Sequence, residues 1–151
     1  MKENIMIIFA IILIILLLSI YFVSKNKKTE IFFPKQNIKV EAQLAQTILQ
    51  QTKGLMRVKS LPENKGMLFV FLGESRQSFW MKNTFIPLDL LFISKDKKIV
   101  EIKPNFEPCP DGKNCPTYTS QKRAKYVLEV NSGFCEKYQI KEGDEVQFDI
   151  K

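Results

Sequence analysis

The sequence predicts an α+β, β-rich fold: a compact, mostly antiparallel sheet or barrel-like sandwich with one or two short helices, preceded by one transmembrane helix. Three observations predict it. Residues 5–23 are an unbroken apolar run. Behind them, short strand patterns recur between clusters of turn residues. Only two stretches, near 47–54 and 132–138, read as helix.

The apolar run IMIIFAIILIILLLSIYFV contains only Ser19 and Tyr21 as polar side chains. At 1.5 Å per residue its length matches a hydrocarbon core of roughly 30 Å. A cleaved signal peptide needs a shorter core and small residues at its end, where this chain has Tyr21, Phe22 and Val23. The expected organisation is a tail at 1–4, an anchor at 5–23, a tether at 24–35 and one globular domain at 36–151. The bases flanking the run, Lys25, Lys27 and Lys28, favour a cytoplasmic domain if counted alone. The short N-terminal tail and the paired cysteines favour the opposite, a single-pass signal-anchor with the domain outside the cytoplasm. The bilayer is therefore the first expected partner.

Within the domain, Ile38, Val40, Ala42 and Leu44 alternate with polar residues, as in a half-buried strand. TILQQTKGLM follows as a short helix, with Thr47 as N-cap, Gln50 completing a capping box and Gly54 as terminator. MLFVFL (67–72) is apolar on both faces and predicts a central strand. SFWMKN and LDLLFI are further strands divided by Pro87, and KIVEIK completes a hairpin with the second. A Pro-rich loop at 104–120 precedes YVLEVN, a short helix at 132–138, a Gly143-Asp144 turn and a last strand, EVQFDI.

Composition excludes several kinds of chemistry. The 151 residues carry a net charge of +7 and contain no His. Without His there is no Ser-His-Asp or Cys-His arrangement, and a zinc or copper site is disfavoured. Neither a Gly-rich phosphate loop nor a cofactor motif is present, so no cofactor is expected. Bases and acids are interspersed rather than gathered into a stripe, which speaks against a nucleic-acid surface.

Cys109 and Cys115 lie in EPCPDGKNCP, at a spacing unlike that of redox or zinc motifs. In an oxidising compartment they are expected to form a disulfide; a metal half-site is the alternative, with too few ligands. Cys135 reads as a small core side chain. Met56, Met67 and Met81 sit in apolar contexts and read as core packing before Cu(I) ligation.

The stretch SFWMKNTFIPLDLLFI (78–93) sets polar groups among the most apolar residues of the chain. On a strand, Phe79, Met81 and Asn83 point one way and Trp80 and Lys82 the other. Asp89 shares a face with Leu91 and Ile93 and needs donors there. Two readings follow. Asp89 ties down the adjoining turn, or Trp80, Lys82, Asn83 and Asp89 form a polar site with Asp89 as acceptor or general base.

The segments GLM (54–56), GMLFVF (66–71), FWMKNTFIPLDLLFI (79–93), PC (108–109) and YVLEVNSG (126–133) together resemble the bacterial and archaeal family called domain of unknown function 192. The resemblance covers about residues 36–150 and leaves the anchor outside. It implies a compact β-rich fold and an exported or anchored protein, with no reaction attached. Its pattern points at Trp80, Met81, Lys82, Asn83 and Asp89 without assigning roles, and does not include Cys135. The expected function is a non-catalytic, membrane-anchored module binding a small polar ligand or envelope component. An enzyme using Asp89 as base and a structural accessory protein are the alternatives.

Overall fold

The computed structural model describes residues 2–25 and 27–150, with side chains described at 6–18 and 27–150. Helix α1 (Lys2–Lys25) carries the apolar run, and its described side chains, 6–18, are all exposed. Among the described residues no helix is long and apolar enough to cross a membrane. Residues 5 and 19–23 of the expected span lie outside those whose side chains are described.

The remaining elements run β1 (Lys28–Phe33), β2 (Ile38–Ala45), α2 (Ile48–Lys53), β3 (Lys65–Ser75), β4 (Ser78–Trp80), β5 (Leu88–Ile93), β6 (Ile99–Phe106), β7 (Thr117–Thr119), β8 (Ala124–Asn131) and α3 (Phe134–Lys137). Six strands make one sheet in the order β1-β2-β3-β8-β5-β6, and β4 pairs with β7 in a separate ribbon. The fold is therefore β-rich α+β, as expected, but the sheet is mixed and is not a closed barrel. Strands β2 and β3 are parallel, because the connection between them carries α2 and is long enough for a crossover. That helix is built as its sequence predicts. The Thr47 side chain and the Gln50 side chain cap each other's backbone, and Gly54 ends the helix at φ +46°.

Three sequence expectations are corrected here. Residues 28–33, read as tether, form β1 and pair in register with β2 from Lys28 opposite Gln43 to Phe33 opposite Ile38. Part of the supposed loop at 104–120 is strand β7. EVQFDI is not a ladder strand; it touches the sheet through isolated bridges, Phe32 with Gln147 and Lys98 with Glu145. Phe32 and Gln147 exchange two 2.8 Å backbone hydrogen bonds, while Ile99 N–H donates to the Asp144 carbonyl at 2.9 Å. Residues 143–149 thus lie against both edge strands. Asp144 fixes this segment, accepting from Lys35 Nζ and Gln36 Nε2 at 2.8 Å and from Lys141 N–H at 3.0 Å. Burial opposes its charge, yet these donors hold the carboxyl below its usual range.

The central strands are covered on both faces, which is why they read as continuous apolar runs. On one face Leu68, Leu91, Ile93, Leu128 and Val130 pack under α3 and the 140–148 segment. On the other, Met67, Phe69, Leu90, Phe92 and Val127 pack under Leu55, Phe79 and Met81. Every residue of β5 is buried. Alternate side chains of one strand therefore enter different cores.

Cys109 and Cys115 are joined as a disulfide. Its loop is clamped to the turn after β4. Asn83 N–H donates to the Cys109 carbonyl at 2.9 Å, and Gly112, at φ +66°, passes so close that a Cβ there would stand 2.5 Å from Asn83 Oδ1. On the chain-entropy argument, closing so short a loop stabilises the fold by about 2 kcal/mol. Replacing both cysteines by Ser is expected to lower the denaturation free energy by that amount; an unchanged urea midpoint would show that the clamp alone holds the loop.

Candidate functional site

The alternation expected at residues 79–82 is present. Phe79 and Met81 are buried, whereas Trp80 is 45% exposed and the Lys82 ammonium lies 5.3 Å from the centre of the Trp80 ring, a cation–π distance. The β4–β7 ribbon presents this pair, with Ser78 and Thr119 hydroxyls joined at 2.8 Å. Asn83 adopts the left-handed conformation at φ 54°. Its carbonyl accepts from Arg57 N–H at 2.8 Å, so Asn83 shapes the turn that follows Lys82.

Asp89 is elsewhere. In the β5–β8 ladder it stands opposite Val130, while its neighbour Leu90 stands opposite Glu129. Successive side chains point to opposite faces, so Asp89 faces α3. Its Oδ1 accepts from Asn105 N–H at 2.9 Å and Gly133 N–H at 3.3 Å, and its Oδ2 from Cys135 N–H at 2.9 Å. A carboxylate occupied by three backbone donors is a structural cap. The general-base reading of Asp89 is thereby disfavoured, and so is its grouping with Trp80. The adjacent Cys135 thiol is buried and free; burial first, then the Asp89 carboxylate, push its ionisation well above the usual thiol range.

The residue that does face Trp80 and Lys82 is Glu129. A cavity of about 250 Å³ is lined by α2 and the residues after it, by Phe69, Phe71, Phe79 and Trp80, and by Lys82, Thr84 and Glu129. Glu129 is 4% exposed, and its Oε2 is buried with no hydrogen-bond partner among the described residues. Burial pushes its carboxyl up to about 8, so at neutral pH it is largely protonated. The aromatic wall is ordered by edge-to-face contacts, with Phe69 and Phe79 centroids 5.0 Å apart and Phe71 and Phe79 6.3 Å apart. Thr84 donates to the Lys82 carbonyl at 3.4 Å. The lining residues thus combine a neutral buried acid, an aromatic wall and two lysines, Lys53 and Lys82. Asn83 and Asp89 do not line it.

Glu129 was missed because YVLEVN reads as an ordinary strand. The available signal was a lone acid inside an apolar run: a strand buried on both faces leaves such a residue no solvent face. Cation ligands are not gathered anywhere; among the described residues no cluster of three or more Cys, Asp or Glu is placed to hold a metal ion.

Residues 31–148 match the DUF192 family, described as an uncharacterized ACR. The chain belongs to the DUF192 family. Two UPF0127 proteins are similar to it: one of Thermococcus kodakarensis, 27% identical over 106 residues covering 69% of this chain, and one of Thermococcus gammatolerans, 24% identical over 110 residues covering 72%. The chain spans 62% and 66% of the length of these relatives. Among solved structures, a proposed transcription regulator from Sinorhizobium meliloti 1021 is 30% identical with a TM-score of 0.72, covering 80% of this chain and 92% of that one. A protein of unknown function from Novosphingobium aromaticivorans DSM 12444 is also 30% identical, with a TM-score of 0.68, covering 80% of this chain and 83% of that one. The matched DUF192 region holds the whole cavity and the disulfide, and leaves α1 outside.

Two outcomes test these assignments. Asp89→Ala strands three backbone N–H groups and is expected to cost about 3 kcal/mol, with Asp89→Asn milder because one acceptor oxygen remains; Trp80 emission of the folded variants stays unchanged. Burial raises the Glu129 carboxyl from its ordinary 4.5 to about 8 in the folded chain. Its contribution to stability is therefore full below pH 4.5 and is lost as pH rises toward 8. Denaturation at pH 5 and pH 8 should show the native chain losing roughly 3 kcal/mol more than Glu129→Gln across that window; parallel pH profiles would contradict it.

Proposed function

We propose that this protein is a membrane-anchored, extracytoplasmic binding module whose Glu129 cavity receives a small polar ligand beside Trp80 and Lys82. The observation that carries the reading is the buried Glu129 Oε2, without a hydrogen-bond partner among the described residues, in a cavity lined by Trp80 and Lys82. A buried polar atom without a partner is costly, and a ligand that supplies hydrogen bonds explains why the cost is kept. At about 250 Å³ the cavity suits a ligand smaller than drug size. The cavity lining holds no second acid and no Cys beside Glu129, which favours binding over hydrolysis. The bilayer part of the reading is supported by the apolar residues 5–23 and by the exposure of the described α1 side chains. The disulfide supports a domain outside the cytoplasm.

Trp80 is the only Trp, so its fluorescence reports directly on the cavity. With the full chain in detergent micelles, one class among sugars, amino acids and cell-wall fragments should shift or protect Trp80 emission, and Glu129→Gln should weaken that response at least tenfold. A Trp80 signal indifferent to the whole panel would overturn the binding reading. For orientation, an impermeant maleimide applied to intact cells after mild reduction should label Cys109 and Cys115; labelling that requires lysis would place the domain inside.

A further inference from the structure

The charges around the cavity are ordered by depth, and that order specifies more than a polar ligand. Its lining contains one acid, Glu129, and two bases, Lys53 and Lys82. The acid is 4% exposed; Lys82 is half-buried and Lys53 is exposed. The cross-strand neighbours of Glu129 are Met67 and Leu90, neither of which titrates, so the charged groups that share the lining with it are Lys53 and Lys82. Phe69, Phe71, Phe79 and Trp80 line the same cavity.

We propose that the cavity takes a free amino acid, its ammonium group seated against the Glu129 carboxyl and its carboxylate turned outward to Lys82 and Lys53. This deepens the binding reading above and rests on it. A ligand with both charges satisfies both ends of the gradient, whereas a simple amine leaves the lysines facing a cation and a simple acid leaves Glu129 without a strong donor. The electron-rich aromatic faces favour the ammonium group further. The cavity, about 250 Å³, admits a small amino acid.

The arrangement carries a proton balance. In the empty cavity burial keeps Glu129 protonated. When the ammonium group arrives, the carboxyl ionises to meet it and its proton passes to the buffer, so one proton leaves for each ligand bound. Affinity then rises with pH, by about tenfold per unit below the folded value of Glu129.

The test is calorimetry on the full chain in detergent micelles, in two buffers of different ionisation enthalpy. Glycine, β-alanine and γ-aminobutyrate vary the spacing of the two charges, while methylamine and acetate each lack one of them and glucose lacks both. The expected result is binding of at least one zwitterion, with methylamine and acetate at least tenfold weaker and close to one proton released at pH 7. Lys82→Met, a change at a half-exposed side chain, should bring the zwitterion down to the affinity of methylamine, and Glu129→Gln should abolish proton release. Glucose binding without proton release would overturn the amino-acid assignment and leave the binding reading intact. Silence from every ligand, with Trp80 emission unchanged throughout the wider panel, would overturn both.

Discussion

The structure depends on one constraint: the middle of its central sheet is buried on both faces, so the polar groups on the buried stretches of β3, β5 and β8 are cut off from water. Two buried acids, Asp89 on β5 and Glu129 on β8, sit in adjoining register positions and project in opposite directions. Asp89 is met by the backbone N–H groups of Asn105, Gly133 and Cys135, and through them it holds α3 and the 105 turn to the sheet. Glu129 finds no partner for Oε2 among the described residues. The same chemistry gives a structural cap on one face and a buried acid lining a cavity on the other.

The cavity owes its shape to elements that do not belong to the main sheet. The disulfide loop holds Asn83 through the Cys109 carbonyl, Asn83 holds Arg57, and the β4–β7 ribbon presents Trp80. On the other side, Gln51 Nε2 donates to the Val70 carbonyl at 2.8 Å and ties α2 to β3. Lys82 and Lys53 therefore stand on separately braced segments, with Glu129 on the rigid strand between them. A site built this way has a fixed floor and walls set by side-chain and loop contacts.

Local chemistry was legible in the sequence where it was decided by neighbours in the chain. The Thr47–Gln50 capping box, the Gly54 terminator and the Phe79/Trp80 alternation needed only spacing. The Cys109–Cys115 spacing, unlike that of a redox or zinc motif, suited a disulfide. What could not be read were relations between distant segments. Residues 28–33 look like a charged tether until Ile31 and Phe33 are seen buried beside β2. EVQFDI alternates like a strand, but it meets two different strand edges and so makes bridges rather than a ladder. Asp89 seemed to belong with Lys82 because they are close in sequence; the face it occupies is settled by register with β8, some forty residues away. Glu129 left a local sign, a lone acid in an apolar run, but its cavity is likewise assembled from distant segments.

The strand order has a consequence for how the chain can acquire this structure. Strand β8 lies in the middle of the sheet, between β3 and β5, yet it begins only at Ala124. The parts of the main sheet made before it are two separate pieces, β1-β2-β3 and β5-β6, each exposing an edge meant for β8. The outer edges in turn wait for residues 143–149. A growing chain thus cannot finish any part of the sheet early; such non-local closure is slow and leaves strand edges open meanwhile. The domain is made to fold late and at once, and a chain ending before residue 124 would hold two incomplete sheets rather than a smaller protein.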